Sequence, residues 1–198
     1  IRLSLVGSEM CIRDSALSAQ ANGAFEGEIA AVTIHTRKGE VTVGADEQPA
    51  NARPEKIPTL KPAFRKNGTV TAANASSISD GAAALVMASR TTADTLGAPI
   101  RAIVRGHASH AQEPGWFTTA PVPAAKALLD RLGWAPDSVD LWEVNEAFAV
   151  VPMAFMQEMD IPREKMNVNG GACALGHPIG ASGARIIVTL LHAMERRD

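Results

Sequence analysis

The sequence predicts an α/β chain, in which short β-branched segments alternate with helices whose apolar residues recur about every 3.6 positions. Three observations carry that expectation. Val122, Ala125, Leu129 and Leu132 fall at i, i+3, i+7 and i+10 and stop at Gly133, the pattern of an amphipathic helix closed by a residue that accepts a left-handed conformation. Val139, Leu141 and Val144 then read as a strand leading into Asn145-Glu146-Ala147-Phe148. Beyond it, Val151, Phe155 and Met159 share one face of a second helix, where Pro152 demands a late start or a kink.

From the N-terminus, Ile1 to Ser15 has neither helical nor strand periodicity, and Leu5 to Ser15 resembles the translation of a transposase sequencing adaptor. Residues 1–15 are therefore expected to be non-native and are set apart from the fold. Glu9, Arg13 and Asp14 interrupt the apolar core that a signal peptide would need. Glu28 to Ile34 and Glu40 to Val43 read as two strands joined around Arg37-Lys38-Gly39, and Ala45 to Pro62 as a surface loop. Asn74 to Gly81 is dense in capping and turn formers, more polar than a connector requires, and is expected to open a small-residue helix over Gly81 to Ala88. Gly97-Ala98-Pro99 punctuates the chain before Ile100 to Gly106, which reads as a strand opening a second unit, and Asp137-Ser138 reads as a turn. The last unit is Asn167 to Gly171, a loop through His177-Pro178, and a long helix from about Gly180. That helix stops at Asp198 without a capping glycine, so the chain reads as a fragment.

Composition excludes several classes. Nineteen Lys+Arg against 21 Asp+Glu leave a net charge of -2, without the basic excess of a chain that coats nucleic acid or binds anionic membranes. The longest apolar run, Ala147 to Met156, contains Pro152 and falls well short of the roughly 20 residues that span a bilayer. Two cysteines argue against a disulfide scaffold and for a reducing compartment, the cytoplasm. His35, His107, His110, His177 and His192 show no metal-ligand spacing.

The densest chemical feature is Gly170-Gly171-Ala172-Cys173-Ala174-Leu175-Gly176-His177-Pro178-Ile179-Gly180-Ala181-Ser182-Gly183-Ala184-Arg185. Its glycines describe a backbone approached too closely for side chains. His177 sits just before a helix N-terminus, where the positive end of the dipole favours a neutral ring that serves as base or hydrogen-bond donor; a core histidine in a tight turn is the other reading. The order of the glycines is not that of a dinucleotide fingerprint, and no acidic residue follows at the required distance. Cys173 and His177 are four apart, but Gly176 and Pro178 argue against one helical turn stacking them, so Cys173 is expected to be a small buried apolar residue. Asn145 lies where a strand ends, the position at which α/β sheets present ligands, or else caps the next helix with Glu146 in its first turn.

Asn74 to Asp80 with Gly81, Asn145-Glu146-Ala147-Phe148-Ala149, and Gly170 to Arg185 stand in an order that resembles the C-terminal half of a thiolase. The resemblance runs from about Ala16 to Arg197. It implies a layered α-β-α-β-α sandwich made of two similar halves, of which this chain carries the end of the first (16–96, with the CoA-binding loop region) and most of the second (97–198, before its final strands). It also implies assembly as a homodimer or homotetramer, and no permanently bound cofactor. The implied substrates are coenzyme A thioesters: acetyl-CoA and acetoacetyl-CoA, with CoA itself.

The implied reaction is a ping-pong acyl transfer of fatty acid metabolism, interconverting two acetyl-CoA with acetoacetyl-CoA and CoA. A longer-chain 3-ketoacyl-CoA thiolase and a non-catalytic CoA- or lipid-binding module are the alternatives. The two reactive cysteines of the family lie in motifs where neither Cys11 nor Cys173 stands, so the fragment alone is expected to be inactive. By resemblance, His177 activates the nucleophile and donates into a thioester oxyanion hole, in which Asn145 holds a water. Ala72, Ala75 and Ser76 match the loop against pantetheine, and Phe148 the wall beside the acyl group. Ser77 stands where many members have Gly, and Phe117 where a Met often lines the acyl pocket, which leaves the acyl size open. Arg53 and Lys56 fall near the nucleotide-binding stretch, where a solvated loop is an equal reading.

Overall fold

The computed structural model describes residues 13–197. Ile1 to Ile12 of the expected adaptor segment, Cys11 among them, lie outside the described residues. Arg13 to Ser15 continue into helix α1 (13–21), and Arg13 Nε donates to the Pro49 carbonyl. Strands β1 (Val32–Thr36) and β2 (Gly39–Val43) form an antiparallel hairpin in the register Val32↔Val43 to Thr36↔Gly39. Its turn is the pair Arg37-Lys38, and Gly39 takes φ +119, which side-chain-bearing residues rarely adopt. Glu28 to Ala31 precede the hairpin rather than join it.

The expected loop over Ala45 to Pro62 contains a short helix α2 (Gln48–Asn51) and a 3-10 turn (Pro54–Thr59), each with Pro near its start, where a missing N–H costs nothing. Gly81 to Ala88 is not helical. Only Ala83 and Leu85 are partly buried in it, an alternation of period two that a helix cannot satisfy, and the helix begins later, at α3 (Arg90–Leu96), capped by Ser89 Oγ on Thr92 N–H. Ile100 to Gly106 likewise pairs in no ladder among the described residues, leaving Ile103 and Val104 exposed. A strand needs a neighbour for its hydrogen bonds, and apolar alternation in one segment does not specify which segment that is.

The core lies where the periodicity was strongest. Helix α4 (Pro121–Leu132), closed by Gly133 at φ 67, packs Val122 and Leu129 against Phe155 and Met159 of α5 (Val150–Met159), with Ile161 and Met166 beneath. Pro152 sits in the first turn of α5, so the helix starts late and does not kink. Trp142 packs on Phe155 at 5.1 Å between ring centres, the two rings tilted by 59°. The expected strand Val139 to Val144 pairs through one parallel bridge, Trp142↔Met166. A four-residue helix α6 (Ala172–Leu175) follows, then α7 (Ser182–Arg197), which begins two residues beyond Gly180. Against α6 and its glycine turn packs α1: a Cβ on Gly170 would come within 2.7 Å of Ala16 Cβ. Among the described residues no helix is long and apolar enough to cross a membrane.

Candidate active site

Three loops converge beneath the start of α7. The first, residues 69–76, is stiffened by Asn74, whose buried side chain accepts from Thr71 N–H at 2.7 Å and donates to the Thr69 carbonyl at 2.9 Å. This loop is stitched to the second, Asn145 to Ala149. Ala75 and Phe148 form an antiparallel bridge, Ala149 N–H donates to the Asn74 carbonyl at 2.9 Å, and both Ser76 N–H (3.1 Å) and Ser76 Oγ (3.0 Å) donate to the Ala147 carbonyl. The Ser76 hydroxyl proton is thereby committed, while its oxygen can still accept a hydrogen bond. Ala72 is exposed at the loop's edge and Ala75 is half-buried.

The third loop carries His177. Its N–H donates to the Ser77 carbonyl at 3.0 Å, forming a parallel bridge with Ile78. Two glycines permit the approach. Gly176, at φ +86, has the Ser79 hydroxyl where a Cβ would sit, and Gly81 has Pro178 Cγ 2.8 Å from that place. The imidazole ends between Asn145 and Ser182: Nε2 lies 3.4 Å from Asn145 Nδ2, and Nδ1 2.6 Å from Ser182 Oγ. Asn145 does not cap a helix, since α5 begins five residues later, and its buried Oδ1 has no hydrogen-bond partner among the described residues. A buried carbonyl oxygen without a partner beside an imidazole is a place for a bound donor such as water. Phe148 makes edge-to-face contacts with Phe117 (6.1 Å) and Phe64 (6.0 Å), a wall in which Phe64 was not anticipated from sequence.

Behind the pair lies a buried network that the sequence reading missed. Asn167 acts as a surrogate strand, its Oδ1 accepting from Val144 N–H (2.8 Å) and its Nδ2 donating to the Val144 carbonyl (2.9 Å) and to Glu146 Oε1 (2.6 Å). Glu146, 1% exposed, is therefore a keystone and not a first-turn helix residue. Its second oxygen accepts from Cys173 N–H at 3.1 Å. Cys173, expected to be buried, is half-buried, and its Sγ faces the Glu146 carbonyl at 3.7 Å, which joins it to this network. Burial raises the Glu146 carboxyl against these two donors. Glu143 is pushed up to about 8, chiefly by burial. Arg185 Nη1, 3.6 Å away and beyond hydrogen-bond reach, attracts it too weakly to reverse this. Arg53 and Lys56 lie exposed around the 3-10 turn Pro54–Thr59.

The geometry defines a class: an α/β chain presenting an imidazole and a carboxamide side by side, the equipment for moving a proton and stabilising a developing oxyanion. Comparison with known proteins sharpens this. Residues 13–91 match the family model for the thiolase N-terminal domain and residues 98–198 that for the thiolase C-terminal domain, and the chain belongs to the thiolase family. It is 52% identical over 177 residues to an acetyl-CoA acetyltransferase of Yarrowia lipolytica, which covers 89% of this chain and 45% of the relative. The Acat5 thiolase of Ascaris suum, solved in complex with coenzyme A, superposes with a TM-score of 0.88 at 40% identity, covering 98% of this chain and 50% of that one. Human mitochondrial 3-ketoacyl-CoA thiolase superposes with a TM-score of 0.90 at 36% identity, covering 99% and 50%. The chain thus spans about half the length of the relatives it matches, and its fold is that of the corresponding part of a thiolase.

Proposed function

We propose that this chain is part of an acyltransferase that interconverts two acetyl-CoA with acetoacetyl-CoA and CoA. The observation that carries the reading is the Asn145–His177 pair at 3.4 Å, held by the Ser76 loop. Its support from outside the chain is the acetyltransferase relative and the coenzyme A complex of the Ascaris thiolase. In the thiolytic direction, His177 Nε2 takes the proton of an attacking thiol, leaving the electron pair on sulfur. The sulfur then adds to the ketone carbonyl carbon of the substrate. The resulting oxyanion is met by Nε2–H and by a water that Asn145 holds. Neither donor places a permanent buried charge beside the reacting carbon. Phe148 and Phe117 wall the acyl group, and the loop Ala72 to Ser76 lies against the pantetheine arm, with Ser76 Oγ accepting from one of its amides. The reading includes cytoplasmic location and a homodimer or homotetramer.

The 36%-identical 3-ketoacyl-CoA thiolase makes chain length the point to test. Steady-state thiolysis by the full-length protein is expected to show higher kcat/KM for acetoacetyl-CoA than for six- to ten-carbon 3-ketoacyl-CoA esters. A strong preference for the longer esters would replace this reading with the β-oxidation one. Tight CoA binding without turnover would replace it with a non-catalytic module.

A further inference from the structure

We propose that Ser182 is a positioning residue that sets the tautomer of His177, keeping the resting proton on Nδ1 and leaving Nε2 as a bare acceptor toward Asn145. The inference rests on the role given to His177 above. Ser182 opens α7 and is 4% exposed. Its Oγ lies 2.6 Å from His177 Nδ1 and 3.0 Å from the Pro178 carbonyl oxygen. A hydroxyl has one proton, and a carbonyl oxygen only accepts, so the bond to Pro178 uses that proton. With the hydroxyl so directed, beside the Ala181 and Ser182 N–H groups that share the Pro178 oxygen, Oγ meets Nδ1 as an acceptor and Nδ1 carries the hydrogen. On the opposite edge of the ring, Nε2 faces Asn145 Nδ2, a nitrogen that only donates. In the amide orientation that the structure gives Asn145, a donor there suits a bare Nε2, so the contacts on the two sides of the imidazole agree. The reverse tautomer turns the Ser182 proton from Pro178 onto Nδ1 and needs the Asn145 amide turned about, so that Oδ1, which has no partner among the described residues, accepts from Nε2–H.

The tautomer decides what the ring can do first. With Nε2 bare, the S–H bond of a thiol breaks as Nε2–H forms, in one step, and the electron pair remains on sulfur. The positive charge then on the ring is shared with Nδ1–H, whose acceptor is already in place and is itself anchored on the Pro178 carbonyl. With the proton on Nε2 instead, the thiol would find no base until the ring had exchanged its hydrogen. Ser182 thus does through His177 what a carboxylate does in other nucleophile–histidine pairs, orienting the ring and fixing its proton, but without adding charge.

Neutron diffraction from substrate-free crystals of the full-length protein reads this directly and independently of any substrate. Deuterium is expected on Nδ1 of His177, with the Ser182 deuteron directed at the Pro178 carbonyl. Deuterium on Nε2 alone would overturn the proposal even if the protein thiolyses acetoacetyl-CoA as proposed. In steady state, Ser182→Ala is expected to lower kcat about tenfold or more and to displace the acid limb of its pH profile, while KM stays within about twofold. An unchanged kcat with an unchanged pH profile in a folded variant would also overturn it. Should Ser182→Ala not fold, the neutron positions in the unsubstituted protein decide.

Discussion

Gly171→Ala isolates the keystone behind the active-site pair. Gly171 has φ -144 and ψ -171, an extended backbone open to alanine, so no conformational penalty attaches to the change. The obstacle is steric: a Cβ there would overlap Cδ, Oε1 and Oε2 of Glu146. A carboxyl at the end of a flexible chain normally swings aside, but Glu146 is 1% exposed and bound by Asn167 Nδ2 at 2.6 Å and Cys173 N–H at 3.1 Å. Displacing it breaks both bonds inside the protein. At about 1–3 kcal/mol for each of the two buried groups left unpaired, with about 1–3 kcal/mol of overpacking added, the loss comes to roughly 3–9 kcal/mol. Denaturant unfolding of the full-length protein measures it. The same substitution beside Glu146→Ala, where the space is free, should cost at least about 2 kcal/mol less than it does alone. A loss below about 1 kcal/mol, or strict additivity in the double variant, would refute the view that Gly171 is glycine because Glu146 occupies its side-chain position.

Three further outcomes are expected. Ser76→Ala removes a latch on the Ala147 carbonyl and, in the function proposed above, an acceptor for the pantetheine arm, so it should raise KM for CoA substrates several-fold with little change in kcat in steady-state kinetics. Glu143 binds its proton more tightly folded, at about 8, than at its ordinary 4.5, so the stability it contributes is full below pH 4.5 and is lost as pH rises through about 8. The fall amounts to ~5 kcal/mol at 1.36 kcal/mol per decade, and denaturant midpoints from pH 4 to 9 should show it in the native protein and not in Glu143→Gln. The 198-residue polypeptide by itself should show no thiolysis of acetoacetyl-CoA, because Cys11 and Cys173 are its only thiols and Cys173 is engaged by Glu146. Measurable turnover by a monodisperse sample would refute that.

Where a feature is local, the sequence revealed it. The helix stripe ending at Gly133 and the face Val151-Phe155-Met159 were legible because side-chain period and capping are properties of consecutive residues. His177 and Asn145 stood out because glycines crowd one and a strand end presents the other, and the structure brings them together from 32 positions apart. Other features depend on residues far apart in the chain. Glu146 reads as a helix-start acid until Asn167 and Cys173 are folded onto it, and Glu143 has no sequence signal that pairs it with Arg185, over 40 residues on. The expected helix over Gly81 to Ala88 failed for a related reason. Alanine-rich composition suits helices, but Gly81 is pressed against Pro178, a contact no local propensity contains.

The central claim is that His177 and Asn145 together move the proton and stabilise the oxyanion, and one measurement tests it most directly: acetoacetyl-CoA thiolysis by the full-length protein carrying His177→Ala. A kcat lowered by at least about 100-fold, with Asn145→Ala falling less because a second water partly replaces the held one, is the predicted result. Near-normal turnover of His177→Ala with an unchanged pH dependence would contradict the account.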